Sequence, residues 1–279
     1  MGDKRLKWAN VPSGHDNPLA YAVSGRDQSV IGMVEAAVRH GHVMLAYQAV
    51  VPSGRQDRPA FYEGLVRVLD ETGRIIPARE FIHVIETMET GRIVDCLSLE
   101  KGIRTLREHP DIRLSINMSA RSIGYPRWMR TLKRGLGHDP TLGERLILEI
   151  TESSAMLVPE LVVNFMASLQ KKGISFALDD FGAGFTSFRY LRDFYFDILK
   201  IDGQFIRGIA DNPDNQVLTR ALISIAEQFD MVTVAESVER PNDAVFLHNI
   251  GMDCLQGYYF GAPTVQPPWL ETAQEAVIA

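Results

Sequence analysis

From Met44 to Phe260 the chain repeats one pattern: a short apolar run, a polar break, then an amphipathic segment at helical spacing. Eight runs read as strands: Met44–Val51, Ala60–Leu69, Ile112–Met118, Arg145–Ile150, Ile174–Leu178, Ile198–Ile201, Met231–Ala235 and Cys254–Phe260. The intervening segments read as helices over Pro77–Thr87, Ile93–Arg107, Arg127–Leu136, Leu161–Lys172, residues 186–193, Asn215–Phe229 and Pro241–Asn249. Several strand runs, Ile174–Leu178 among them, are continuously apolar rather than alternating, which marks strands buried on both faces. Strands alternating with helices imply a parallel sheet with helices outside. Eight such units in roughly 230 residues fit a closed (β/α)₈ barrel; an open doubly wound sheet is the alternative. The first two strands lie either side of a turn around Pro52-Ser53-Gly54. Ahead of them, Ser29–His40 reads as a helix with Ser29 as N-cap and Gly41 as stop. Residues 1–28, broken by Pro12, Gly14, Pro18 and Gly25, read as an irregular lead-in to a barrel domain over 29–279.

The net charge of −6 argues against a groove for nucleic-acid polymers. Cys96 and Cys254 share no metal-like spacing and read as buried free thiols of a reducing compartment. No run approaches the ~18 apolar residues of a membrane span, and no basic segment followed by a hydrophobic one opens the chain. A cytoplasmic protein is expected. Neither a Gly-rich dinucleotide fingerprint nor a P-loop occurs.

Barrel enzymes carry their chemistry at the C-terminal ends of the strands. The second strand carries Glu63, Leu65 and Arg67, and the third ends in Asn117. The fourth ends in Glu149 with Glu152 close behind, and the fifth in Asp179-Asp180. The sixth ends in Lys200 and Asp202, the seventh in Glu236 followed by Glu239, and the eighth opens on Gln256. Singly, each has an ordinary structural reading: a solvated Glu, a packed Lys stem, a capping Asn, an Asp-rich turn. Together they converge on one mouth, and so many anions at close range are strongly destabilising without cations. The donors are hard oxygens with no His or Cys among them, which suits Mg²⁺ or Mn²⁺ rather than zinc. The carboxylates suffice for two ions, the apparatus for attack of water on a phosphodiester. Lys200 is placed to orient or help deprotonate that water, or to stabilise developing charge. Arg67 is suited to a phosphate.

These residues fall in motifs that resemble one family. Tyr47-Gln48, Glu63-Gly64-Leu65-Val66-Arg67, Asn117-Met118-Ser119, Glu149-Ile150-Thr151-Glu152, Asp179-Asp180-Phe181-Gly182, Lys200-Ile201-Asp202, Ala235-Glu236-Ser237-Val238-Glu239 and Gln256-Gly257-Tyr258 occur in the order of the EAL domain, over residues 30 to 265. The resemblance implies a modified TIM-type barrel with its first strand antiparallel. It implies hydrolysis of cyclic di-GMP to linear pGpG with two Mg²⁺ or Mn²⁺ ions. Glu63, Asn117, Glu149 and Asp179 would hold one ion, and Asp179, Asp180 and Glu236 the other. Lys200 would contact the attacking water, with Gln256 supporting that side. Gln48, Leu65 and Arg67 would touch the dinucleotide. Glu152, with Glu239, would anchor the loop Phe181–Phe188, which also links the site to a homodimer interface. Three positions depart from the family pattern. Gly64 replaces an alanine and is expected to loosen its strand. Ser237 replaces a glycine and is expected to shift Glu236 if the position needs unusual backbone angles. The loop reads Ala183-Gly184-Phe185-Thr186-Ser187 where Thr-Gly-Tyr-Ser-Ser is common. Two other functions share these features: a non-catalytic cyclic di-GMP receptor signalling through a partner, and a metal-dependent barrel hydrolase of another phosphoester. The complete ligand set disfavours the first, and the Gln48 and Glu-x-Leu-x-Arg matches the second.

Overall fold

A computed structural model of the chain describes residues 18–183 and 191–270. The strands are β1 Val43–Pro52, β2 Phe61–Leu69, β3 Ile75–Pro77, β4 Leu114–Asn117, β5 Leu146–Thr151, β6 Ser175–Phe181, β7 Ile198–Ile201, β8 Val232–Ala235 and β9 Cys254–Leu255. The longer helices are α1 Pro18–Arg39, α2 Glu89–Glu108, α3 Pro126–His138, α4 Pro159–Gln170, α5 Pro213–Gln228 and α6 Pro241–Asn249. Every strand but β3 joins a closed ring, β1-β2-β4-β5-β6-β7-β8-β9. β1 pairs antiparallel with both β2 and β9, and the other ring pairings are parallel. The fold is therefore the modified TIM-type barrel, with β1 reversed because a hairpin places it beside β2.

Inside the ring the two-residue period of a strand separates chemistry from packing. Val50, Phe61, Ile147, Ala177, Ile198, Val234 and Cys254 form one buried apolar cluster that plugs the barrel. Two residues from each stands a polar group: Gln48, Glu63, Glu149, Asp179, Lys200, Glu236 and Gln256. The plug excludes water from below and leaves those side chains on the rim above it. A larger cluster, including Trp128, Phe165 and Phe176, seals the strands against the outer helices.

Local structure departs from the sequence expectation in three places. The first helix begins at Pro18, so it takes in residues 18–28 of the expected lead-in. Proline at the first helical position is pre-set for the turn. A single Gly25 costs only about 1 kcal/mol and does not end the helix. Residues 75–87 form β3, a 3-10 turn and a one-turn helix, Ile82–Ile85, instead of one helix. The open edge of β2 takes Ile75–Pro77 as a partner for Arg67–Leu69. The last strand stops at Leu255, because Gly257 packs directly on the backbone of Val238. The helix expected over 186–193 and the substituted loop from Gly184 lie mostly outside the described residues. Among those residues, no helix is long and apolar enough to cross a membrane.

Candidate active site

Lys200 stands at the centre of the barrel mouth and is fully buried. Its Nζ lies 2.8 Å from Glu149, 2.9 Å from Glu236, 3.0 Å from Asp179 and 3.2 Å from Glu63. Burial works against the ammonium, but the surrounding carboxylates outweigh it and hold Lys200 protonated well above the ordinary range.

Each neighbour has its own support. Glu63 accepts from Asn117 Nδ2 at 2.7 Å through one oxygen, and from Gln256 Nε2 at 2.7 Å through the other. Burial alone would push its proton affinity up, yet Lys200, Gln256 and Asn117 together hold its carboxyl below the usual range. Gln256 also donates to Gln48 Oε1 at 3.2 Å, and Gln48 donates on to the Gly261 carbonyl at 3.0 Å. Glu149 is completely enclosed; burial, then the charge of Glu63, push its carboxyl up to about 8. Its Oε1 is buried with no hydrogen-bond partner. Burial and the charges of Asp179 and Glu63 also raise Glu236.

The adjacent aspartates need a backbone device. In a regular strand Asp180 would face away from Asp179. Asp180 instead adopts φ of 55°, and β6 carries a register shift against β7 between Leu178 and Phe181. One oxygen each from Asp179, Asp180 and Glu236 then lie within 4.8 Å of one another. Desolvation and the charge of Asp179 push Asp180 up to about 6.

This donor set fits divalent cations. It is made of hard oxygens, one of them an orphaned buried Glu149 oxygen, in a site where burial and mutual repulsion raise the carboxyls of Glu149, Asp180 and Glu236 for want of positive charge. Asn117 gives its nitrogen to Glu63, which leaves its carbonyl oxygen as the atom available to an ion.

A cleft of about 500 Å³ is lined by Glu63, Leu65, Asn117, Asp179 and Asp180 among others. Arg67 is half-buried on the same strand, and its Nη1 donates to the Val66 carbonyl at 2.9 Å. Glu152 accepts from the Gly182 amide at 3.2 Å, and Gln204 donates to the Gly182 carbonyl at 2.9 Å. Glu239 stands apart, half exposed and 3.8 Å from Arg207.

Two of the departing positions are settled by packing. A Cβ on Gly64 would meet Ile116 Cδ1 at 2.7 Å, so the space of the missing methyl is filled from β4 and the strand is not loosened. Ser237 adopts φ of 58°, the conformation a glycine would hold without strain. Its Oγ accepts from Arg207 Nη2 at 3.0 Å, and Glu236 still reaches Lys200.

The cleft wall also carries Asp95, Arg79 and His83; the sequence singles out neither Asp95 nor Arg79, and His83 reads there as a structural residue on a helix face. Asp95 is buried on α2 and accepts from the Ser119 amide at 3.0 Å and Ser122 Oγ at 2.6 Å. It thereby holds the turn that follows Asn117. In the sequence it is one acid in an amphipathic helix, and nothing there distinguishes it from a solvated one.

A family model described as the EAL domain matches residues 31–263. Among curated proteins, the cyclic di-GMP phosphodiesterase PdeB of Shewanella oneidensis is 29% identical over 234 residues, covering 82% of this chain and 27% of that protein. The signaling protein YkoW of Bacillus subtilis is 31% identical over 237 residues, 83% of this chain and 29% of that protein. The chain thus spans less than a third of the length of these two relatives. Among solved structures, the PaMucR phosphodiesterase in complex with c-di-GMP superposes with a TM-score of 0.77 at 25% identity, covering 85% of this chain and 97% of that one.

Proposed function

Because the chain belongs to the EAL domain family, we propose that it is a metal-dependent phosphodiesterase that opens cyclic di-GMP to linear pGpG. One observation carries the reading. Glu63, Glu149, Asp179 and Glu236 surround a single cation, Lys200, and Asp180 adds a fifth carboxylate beside Asp179 and Glu236. Five carboxylates against one ammonium leave a formal charge of −4, which two divalent ions offset. Mg²⁺ or Mn²⁺ bound there would supply the positive charge that acidifies an attacking water and neutralises the phosphodiester.

The protein's own groups do the rest. Glu63, Asn117, Glu149 and Asp179 would hold one ion, and Asp179, Asp180 and Glu236 the other. Lys200, kept protonated, steers the water and stabilises charge on the phosphoryl oxygens. Gln256 and Gln48 fix Glu63 through a chain of hydrogen bonds that ends on the backbone. Leu65 packs on the dinucleotide, and Arg67 takes its distal phosphate. Glu152 tethers the loop after Asp180 through the Gly182 amide. The buried free thiols of Cys96 and Cys254 suit the reducing cytoplasm. Exposed Leu157, Val158 and Leu161 offer an apolar face for a homodimer.

The test is incubation with cyclic di-GMP and Mg²⁺, followed by chromatography. Linear pGpG is the expected product. Saturable binding with no product would select the receptor reading instead.

A further inference from the structure

On the outer wall of the barrel, α2 and α3 run side by side. The Gly135 position sits against Ile103, and Arg107 donates to the Gly135 carbonyl at 3.2 Å. A groove follows their junction. One part, of about 340 Å³, has Leu97, Ile103 and Gly135 among its lining residues. It continues along α3 through the shared residues Glu100, Thr131 and Arg134.

The groove is strongly basic. Lys101, Arg104 and Arg107 line it from α2, and Arg127, Arg130, Lys133 and Arg134 from α3. Glu100 is the acid that faces them. Seven cations against one carboxylate give a local charge of +6, on a chain whose net charge is −6. Among the described residues none of the seven forms an ion pair, whereas Arg145 and Arg240 elsewhere do. On each helix the cations recur at three- or four-residue spacing, so they stand in two facing rows about 5 Å apart along the axis. Burial and the neighbouring Arg104 lower the proton affinity of Lys101 and outweigh the opposing charge of Glu100, as expected where cations outnumber anions.

The chemistry of the rows selects among anions. Five of the seven are arginines, whose planar forks match phosphate oxygens two at a time. No large exposed apolar residue lies on these helices, so nothing is offered for insertion into a bilayer. No aromatic side chain lines the groove to stack unpaired bases. The rest of the chain carries a net −12 by difference, which repels a long polyanion that overruns the patch. A concave volume of a few hundred Å³ is that of a small-molecule site.

We propose that the groove between α2 and α3 is a binding site for a compact ligand carrying several phosphates, held by the two arginine rows and distinct from the acidic cleft at the barrel mouth. The shared chemistry is a short phosphate chain, free or on a nucleoside.

Calorimetric titration of the metal-free chain with inorganic tripolyphosphate and, separately, with GTP tests it. Saturable one-to-one binding that weakens with added salt is expected. The double variant Arg104→Glu, Arg134→Glu should bind at least tenfold more weakly while keeping the parent's melting temperature, since neither residue is buried or ion-paired. Asp179→Asn, in the acidic cleft, should bind as the parent does. Equal affinity for the two probes identifies the phosphate chain as the ligand. Tenfold tighter binding of GTP adds the nucleoside. Failure of both probes to bind, affinity of the double variant within twofold of the parent, or binding confined to vesicles of anionic phospholipid would each overturn the proposal.

Discussion

Replacing Lys200 by Met tests the electrostatic account of the site most directly. Methionine keeps much of the length of the lysine stem and removes only the charge. The substitution leaves Glu63, Glu149, Asp179 and Glu236, all within 3.2 Å of the lost ammonium, facing one another with no compensating cation. Breaking a buried ion pair by removing one partner costs about 3–5 kcal/mol. For a chain of this size that corresponds to a fall in melting temperature of roughly 6–20 °C. The loss depends on pH with a definite sign. Asp180 and Glu149 are already raised to about 6 and about 8 in the folded protein. A raised acid contributes stability that is present in acid and lost as pH rises through its folded value. The deficit of the variant is therefore smaller near pH 5 than near pH 8. Mg²⁺ or Mn²⁺ should recover part of it at pH 8, because bound ions supply the missing charge. The assay is thermal melting by circular dichroism at both pH values, with and without the ion. A metal-free variant that melts with the parent at pH 8 would refute the argument.

Two further outcomes are expected. Ser237→Gly removes a left-handed strain of roughly 1–2 kcal/mol and the Arg207 hydrogen bond, worth at least about 0.5 kcal/mol. It should raise stability by about 0.5–1 kcal/mol in urea unfolding; a loss of that size would mean that the Arg207 contact outweighs the backbone term. Asp95 is buried and raised to about 6 from 3.8, so the parent should lose up to about 3 kcal/mol between pH 4 and 6 on its account. Asp95→Asn keeps an acceptor for Ser119 and Ser122 and should flatten that part of the pH–stability curve, as a melting series across this range would show.

The sequence by itself determined the barrel and most of the site's membership. Strand and helix periods differ, so alternation is legible in composition alone, and strand-end residues of an assumed barrel must converge. The long-spaced motifs then select the family. What it did not determine depends on groups brought together across the fold. Asp179 and Asp180 stand at one place only because Asp180 turns left-handed and β6 bulges against β7. Gly64 is filled rather than loose because Ile116 reaches across from β4. Asp95 is a buried support rather than a solvated acid because α2 lies against the turn after Asn117. Ile75–Pro77 pairs with the free edge of β2, and the rest of the Pro77–Thr87 segment forms a 3-10 turn and a one-turn helix instead of one longer helix. In each case local preference is worth no more than about 1–2 kcal/mol, and the contact made in the folded chain outweighs it.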